Sequence, residues 1–440
     1  MGNIRSSKTV SQVVRDGLCT GCGTCVALCP VQAIKLTKNR AKGVFIPKID
    51  ENKCNFCGMC YKTCPGEEVD FESLNLGIFG KAPTNTLIGN YVKCYTGYAE
   101  DYRIRYNSSS GGLVPQLLIF ALEEHMIDGA LVTKMKTDDP LEPEPFIATD
   151  RKEIVSSCGS KYCPVPVNVA LREILRLKNK RFAVVGLPCH IHGMRKVEAT
   201  NDELRKRIIL HIALFCSNAP NFLATEFLVR RLKIRKEDVK SIKYRGRGWP
   251  GSLTVELKDG RIISSPYPKY CDSGFGQYFC PERCKYCIDH TGELADISLG
   301  DAWLPRIMKE DKIGTSLIIT RTAEAERFLE KAVSAKKINA EEIDANETLQ
   351  SSTLSKKRRL TFYASFTNKK IPKYNLKLLE PIPNTFFDYA LSLTGTFLSS
   401  KPRLWALLRL YAFQIRTLSG LVQHARATKK NRSRIRPHMN

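Results

Sequence analysis

At 440 residues, with 43% hydrophobic and 9% aromatic side chains, the chain is too long for one small core, and its composition excludes the disordered and collagen-like classes. The formal charge of +25 is uneven, because 18 Lys and Arg residues lie between Lys356 and Asn440 against only Glu380 and Asp388. Such a basic end suits anionic lipid, nucleic acid or an acidic partner, and charge alone does not choose among them.

The opening MGNIRSSKTVSQVVRDG has no apolar stretch of the signal-peptide kind, so the 17 cysteines are expected to stay reduced in the cytoplasm. Gly2 to Ser6 also fits a myristoylation pattern, but one short match carries no argument. Reduced cysteines in clusters read as ligands. Cys19, Cys22, Cys25 and Cys29-Pro30 recur 35 residues later as Cys54, Cys57, Cys60 and Cys64-Pro65. This is the C-x2-C-x2-C-x3-C-P run of ferredoxins, in which three close thiolates hold one cubane and the fourth reaches over to the other. On that rule Cys19, Cys22, Cys25 and Cys64 hold one 4Fe-4S cluster, and Cys54, Cys57, Cys60 and Cys29 hold a second. Zinc sites rarely repeat a four-Cys run closed by proline. Residues 1–80 are therefore expected to form an α+β dicluster ferredoxin-like domain, with Phe71 to Asn90 as the linker out of it.

Beyond Tyr91, helix-like stretches at Leu113–Glu124 and Val167–Leu177 alternate with strand-like Gly129–Thr133, Phe182–Val185 and Ile208–Phe215. That alternation predicts an α/β unit, taken as an N-terminal part over 81–165 and a C-terminal part over 166–355. Leu253–Leu257 and Arg261–Ser264 flank Asp259-Gly260 and predict a hairpin. Asn107 to Gly112 precedes a helix start, where backbone N–H groups suit a phosphate. Gly186-Leu187-Pro188-Cys189-His190 follows a strand, where open α/β sheets place ligands. Cys280, Cys284 and Cys287 form a third group that needs a fourth ligand; Cys216 is the first candidate and Cys271 the reserve, for a third iron–sulfur cluster or for zinc.

Residues 356–440 read as a helical basic tail, entered through Lys356–Arg359, Pro381 and Pro383. A helix over Arg403–Gln423 carries Leu404, Trp405, Leu407, Leu408, Tyr411, Leu418 and Val422 on a broad apolar arc, with Arg409 and Arg416 opposite. It either packs on its own domain or lies peripherally on the inner face of the cell membrane, aided by Lys429, Lys430, Arg432, Arg434 and Arg436. No run approaches the roughly 20 apolar residues that span a bilayer.

From about Leu18 to Trp303 the chain resembles the coenzyme F420-reducing hydrogenase beta-subunit family. The resemblance rests on the cysteine runs, Arg105 with Ser109-Ser110-Gly111-Gly112, Gly159-Ser160-Lys161-Tyr162, Gly186-Leu187-Pro188-Cys189, Leu214-Phe215-Cys216, Tyr244-Arg245 through Gly251, and Ala295-Asp296 through Trp303. It implies an iron–sulfur flavoprotein oxidoreductase with FAD, 4Fe-4S clusters and coenzyme F420 as hydride carrier, working with donor or acceptor subunits. It further implies a flavin site lined by Arg105, Ser110, Gly111, Gly112, Ser160, Lys161, Tyr162, Pro188, Cys189 and Arg245, with Lys161 or Arg245 for the pyrophosphate. No catalytic residue is assigned. Two other expectations stand beside it: a reductase of the same family using ferredoxin or NAD(P)H, and a nucleic-acid-binding protein with structural clusters. The second lacks any helix-turn-helix or aromatic-rich single-strand groove.

Overall fold

In the computed structural model, which describes residues 8–351, 370–375, 385–415 and 417, the two cysteine runs fold alike. Gly23 (φ 89°) and Gly58 (φ 72°) each adopt the left-handed conformation that starts a short helix, Thr24–Leu28 and Met59–Lys62. Gly23 also permits close approach, since a Cβ there would lie 2.6 Å from Val169 Cγ1. Strands β1 (Ile34–Asn39) and β2 (Val44–Ile49) pair antiparallel between the runs.

The expected linker is not a loop. Phe71–Phe79 is a helix, capped by the Asp70 carboxylate accepting from Ser73 N at 3.0 Å and ended by Gly80 in the left-handed region. Asn75 and Asn90 are buried and joined, Asn90 Nδ2 donating to Asn75 Oδ1 at 2.9 Å. Of the glycines that suggest a linker, Gly77 lies inside the helix and Gly80 is its C-cap.

After the short β3 (Glu68–Val69), the α/β unit contributes β4 (Lys93–Ala99), β5 (Gly129–Met135), β6 (Pro143–Ala148), β7 (Phe182–Gly186) and β8 (Ile208–Leu214). Next come a three-stranded antiparallel meander of β9 (Val239–Lys243), β10 (Ser252–Leu257) and β11 (Ile262–Pro266), then β12 (Ile297–Asp301), β13 (Ser316–Thr320) and β14 (Ile338–Ile343). The main sheet has the order β14-β4-β13-β12-β8-β7-β5-β6. Its centre is parallel from β5 through β7 and β8 to β12, and antiparallel pairs flank it. The expected strands at Gly129, Phe182 and Ile208 are thus β5, β7 and β8, and the expected hairpin is β10–β11.

Successive residues of the central strands enter opposite cores, as a period of two requires. Ala130, Val132, Ala183 and Ile212 pack beneath helices Leu113–Glu123 and Ala323–Ser334. Leu131, Phe182, Val184 and Ala213 belong to the other core, shared by helices Leu171–Arg176 and Pro188–Glu198 with Val10, Val13, Leu18 and Cys25. The cysteine-rich unit therefore sits on one face of the sheet. A late strand, β15 (Lys373–Tyr374), pairs in parallel with β3.

The tail differs from its expected form in two ways. A helix at Thr385–Ser399 precedes the expected one, which itself covers 405–415 after a turn at Pro402–Leu404. The inner face of this second helix is core: Trp405 packs edge-on against Phe227 at 5.5 Å, and Leu408 is fully buried. Leu407, Leu410 and Phe413, at 53%, 61% and 70% exposure, make the outer face apolar too. The two faces together account for the broad arc. Lys356–Arg359, Pro381, Pro383, Arg416, Leu418, Val422, Gln423 and Lys429 to Asn440 lie outside the described residues. No helix among the described residues is long and apolar enough to cross a membrane.

Removing the Trp405 side chain should cost about 3–5 kcal/mol as a large-to-small core change, whereas Leu410→Ala on the outer face should stay within about 0.5 kcal/mol. Chemical denaturation of the two full-length variants checks this; equal effects would place the tail helix outside the core.

Candidate redox centres

The cysteines of the two runs interleave in space. Cys19, Cys22, Cys25 and Cys64 line one recess of about 280 Å³, and Cys29, Cys54, Cys57 and Cys60 line another of about 310 Å³. Backbone N–H groups point at the sulfurs: Gly21 N donates to Cys19 Sγ at 3.4 Å, Ala33 N to Cys29 Sγ at 3.2 Å and Val10 N to Cys60 Sγ at 3.4 Å. Burial pushes the Cys19 thiol up to about 12 and Cys64 to about 11, and neighbouring thiols push the same way. Four such groups ionise together only around a multivalent cation, so the donor sets fit iron–sulfur cubanes.

Two further thiols, Cys189 and Cys216, stand just beyond the C-terminal ends of the adjacent parallel strands β7 and β8. Cys216 follows β8, with its N–H donating to His290 O at 2.8 Å. Cys189 stands at the second position of helix Pro188–Glu198 after β7, and its turn is set by His190. Leu187 N donates to His190 Nδ1 at 3.0 Å, and His190 Nε2 lies 3.0 Å from Val165 O, which makes Nε2 the donor. Burial raises the Cys189 thiol, and the charged neighbours that raise it further are Cys216, Cys22, Cys287 and Cys284. Cys189, expected beside a flavin, thus lies among the thiols of the third group. Cys280 is buried, its thiol donating to Pro281 O at 3.3 Å. Cys271, the reserve ligand, instead neighbours Tyr267, Arg245 and Asp272.

Four loops meet along the same sheet edge. Ser160 N donates to Ser109 Oγ at 2.8 Å, Gly248 N to Tyr106 O at 3.0 Å and Ser110 Oγ to Thr315 O at 2.9 Å. Gly111 is packed tight, since a Cβ would lie 2.5 Å from Gly97 O, and Gly112 (φ 74°) caps helix Leu113–Glu123. Arg105 donates to Gly314 O at 2.7 Å and lies over the Tyr98 ring at 3.6 Å. Arg245 is buried and bidentate to Asp301 at 2.7 and 2.9 Å, beside Tyr162 and beneath Tyr267 at 4.7 Å. Its charge is already met. Lys161 differs: half-buried, with its ammonium brought down to about 8 by desolvation, it donates to the carbonyls of Ser157 and Gly159.

Sequence reasoning misses the acids that hold this edge together. Asp301 also accepts from Trp249 Nε1 at 2.8 Å. Asp289 accepts from His192 at 2.8 Å and from Gly292 N at 2.7 Å, fixing the segment after Cys287. Asp296 binds Arg195 at 2.9 Å and His211 Nδ1 at 3.0 Å, while Glu198 binds His211 Nε2 at 2.7 Å and Arg195 at 3.0 Å. The run from Ala295 to Trp303 carries two of these acids, and it is the signal that could have found them.

His211 is held above the ordinary imidazole value of 6.5: burial and Arg195 press it down, and Glu198 and Asp296 outweigh them. A raised folded value means that its stabilisation is complete below about pH 6.5 and is lost as pH rises through the folded value. Denaturation across a pH series should show that loss, and His211→Gln should flatten it; an unchanged slope would discount the network.

Comparison with known proteins places these features. Residues 18–67 match the family described as 4Fe-4S dicluster domain. Two further matches are to the coenzyme F420 hydrogenase/dehydrogenase beta subunit, its N-terminal model over residues 94–172 and its C-terminal model over residues 179–346. The beta subunit of the coenzyme F420 hydrogenase of Methanococcus voltae is 28% identical over 262 residues, covering 58% of this chain and 86% of its own. One component of the F(420)H(2) dehydrogenase of Methanosarcina mazei is 25% identical over 325 residues, covering 73% of this chain and 84% of its own. A chain of the F420-reducing [NiFe] hydrogenase complex from Methanosarcina barkeri shares the fold, with a TM-score of 0.50 and 22% identity, over 66% of this chain and 98% of that one.

Proposed function

Since this chain belongs to the coenzyme F420 hydrogenase/dehydrogenase beta-subunit family and is an oxidoreductase, we propose that it carries electrons between a hydride carrier and a protein or small-molecule acceptor. Coenzyme F420 is the first candidate carrier, with FAD and three 4Fe-4S clusters as the relay.

One arrangement supports the reading: the thiol groups adjoin one another. Cys60 is among the charged neighbours of Cys25, Cys25 and Cys22 share a recess, and Cys22 is among the neighbours of Cys189. The outer ferredoxin group thus neighbours the inner one, and the inner one neighbours the sheet edge, where α/β proteins bind nucleotide-like ligands. There the third group would be Cys216, Cys284 and Cys287, completed by Cys280 or by Cys189.

FAD, when bound, would convert two-electron hydride exchange into the one-electron steps that clusters accept. The protein's part is to bind and orient. Lys161 supplies a half-buried cation whose hydrogen bonds go to carbonyls alone, which suits a pyrophosphate; Arg245, neutralised by Asp301, would order the loop from Tyr244 to Gly251. Ser160 and Tyr162 flank Lys161, and Gly112 opens the helix whose N–H groups face the same edge. The cytoplasm is the proposed location, with partner subunits as donors or acceptors.

Anaerobic protein should bind FAD, and reduced coenzyme F420 should bleach the flavin absorbance before the cluster signals change. Lys161→Ala should lose flavin while keeping its iron. Bleaching by NADPH or reduced ferredoxin alone would instead identify a reductase with another donor, and the absence of any flavin would end the model. Iron should number about twelve per chain, falling to about eight in whichever of Cys189→Ser and Cys280→Ser removes the fourth ligand. Zinc lost in place of iron would refute a third cluster.

A further inference from the structure

Most buried arginines here are matched by acids or fully bonded. Arg195 and Arg245 hold carboxylates, and Arg321 is saturated by the carbonyls of Ile88 and Asn90 and by the hydroxyls of Ser298 and Thr291. Arg283 is different. It lies on the short helix Glu282–Lys285, directly before Cys284, and is 4% exposed. One nitrogen, Nη2, donates to Pro65 O at 3.2 Å and to Tyr374 Oη at 2.9 Å. Its Nε is buried with no hydrogen-bond partner. Among the described residues no carboxylate lies within ion-pair distance of it.

An unmatched buried cation is costly, so something anionic should offset it. Its neighbours indicate what. The carbonyl it binds belongs to Pro65, next to Cys64 of the inner ferredoxin group, and its charge also bears on Cys19 of that group. On the other side are Cys284 and Cys287. A cubane held by four thiolates is anionic and gains one more negative charge on reduction, so a nearby fixed cation favours the reduced form.

We propose that Arg283 sets the reduction potential of the inner ferredoxin cluster, and of the third cluster, by supplying their shared positive charge. The second half rests on the third cluster proposed above, whereas the first needs only the dicluster domain. Arg283 is a positioning and electrostatic residue, and it touches no substrate.

The test is an EPR-monitored redox titration of the anaerobic full-length holoprotein. Arg283→Gln, which removes the charge and keeps a polar amide, should move the inner cluster to a more negative midpoint. The third cluster should shift likewise, and the outer cluster on Cys29, Cys54, Cys57 and Cys60 should not move. Arg283→Lys should recover most of the change. Unchanged midpoints in Arg283→Gln with iron intact, or an equal shift of all clusters, would overturn the proposal. If Arg283→Gln loses iron, Arg283→Lys decides: wild-type iron and potentials support a requirement for charge, and loss in both means that the side chain is only packing. Because the inner cluster is read directly, an iron count of about eight in the wild type would remove the third cluster without touching this result.

Discussion

The structure depends on how one unit grips the backbone of another. At one end the Asn168 N–H donates to Cys22 O at 2.9 Å. Arg172 donates to the carbonyls of Ala27 at 3.1 Å and Cys29 at 3.3 Å, and Lys196 to Cys64 O at 3.1 Å. Three of these carbonyls belong to cysteines that line the recesses. The grip is polar at its contacts and apolar beneath, where Val10, Leu18 and Cys25 share a core with Leu171, Ile191 and Met194. Rigid seating of this kind keeps the thiol groups at fixed separations.

From that seating the rest of the arrangement follows. The helix that presents Lys196 to Cys64 also presents Cys189 at its first turn, so one rigid rod fixes the relation between the inner ferredoxin group and the sheet edge. Arg195 of the same helix is tied through Asp296 and Glu198 to His211 on β8, the strand that ends just before Cys216. With His211 protonated, Arg195, His211, Asp296 and Glu198 form a quartet that sits in the interior without a net buried charge. Arg283 breaks that balance, and it does so beside the thiols.

What the residues alone reveal is what is local. The ferredoxin pairing lies within 65 residues and repeats itself, so spacing alone assigns eight ligands to two groups. Strands β5, β7 and β8 are visible as short apolar runs because parallel strands are buried on both faces. Non-local facts are hidden. Cys189 approaches Cys216 only because β7 and β8 are neighbours, and Arg245 meets an acid 56 positions away. The helix Phe71–Phe79 is obscured by Gly77 within it and Gly80 at its end, and the tail helix shows its period without revealing that both of its faces are apolar.

Strand β15 has a consequence for biosynthesis. Lys370 reaches Asp16 at 2.8 Å across 354 positions and Glu67 at 3.0 Å across 303, and Tyr374 adds a hydroxyl to the Arg283 contact. The first cysteine runs leave the ribosome early, while the segment that clamps their far side emerges only after most of the chain has been made. Contacts of such high sequence separation form late. The N-terminal unit is thus translated long before residues 370–375, and its contacts with them cannot form until most of the chain has been made.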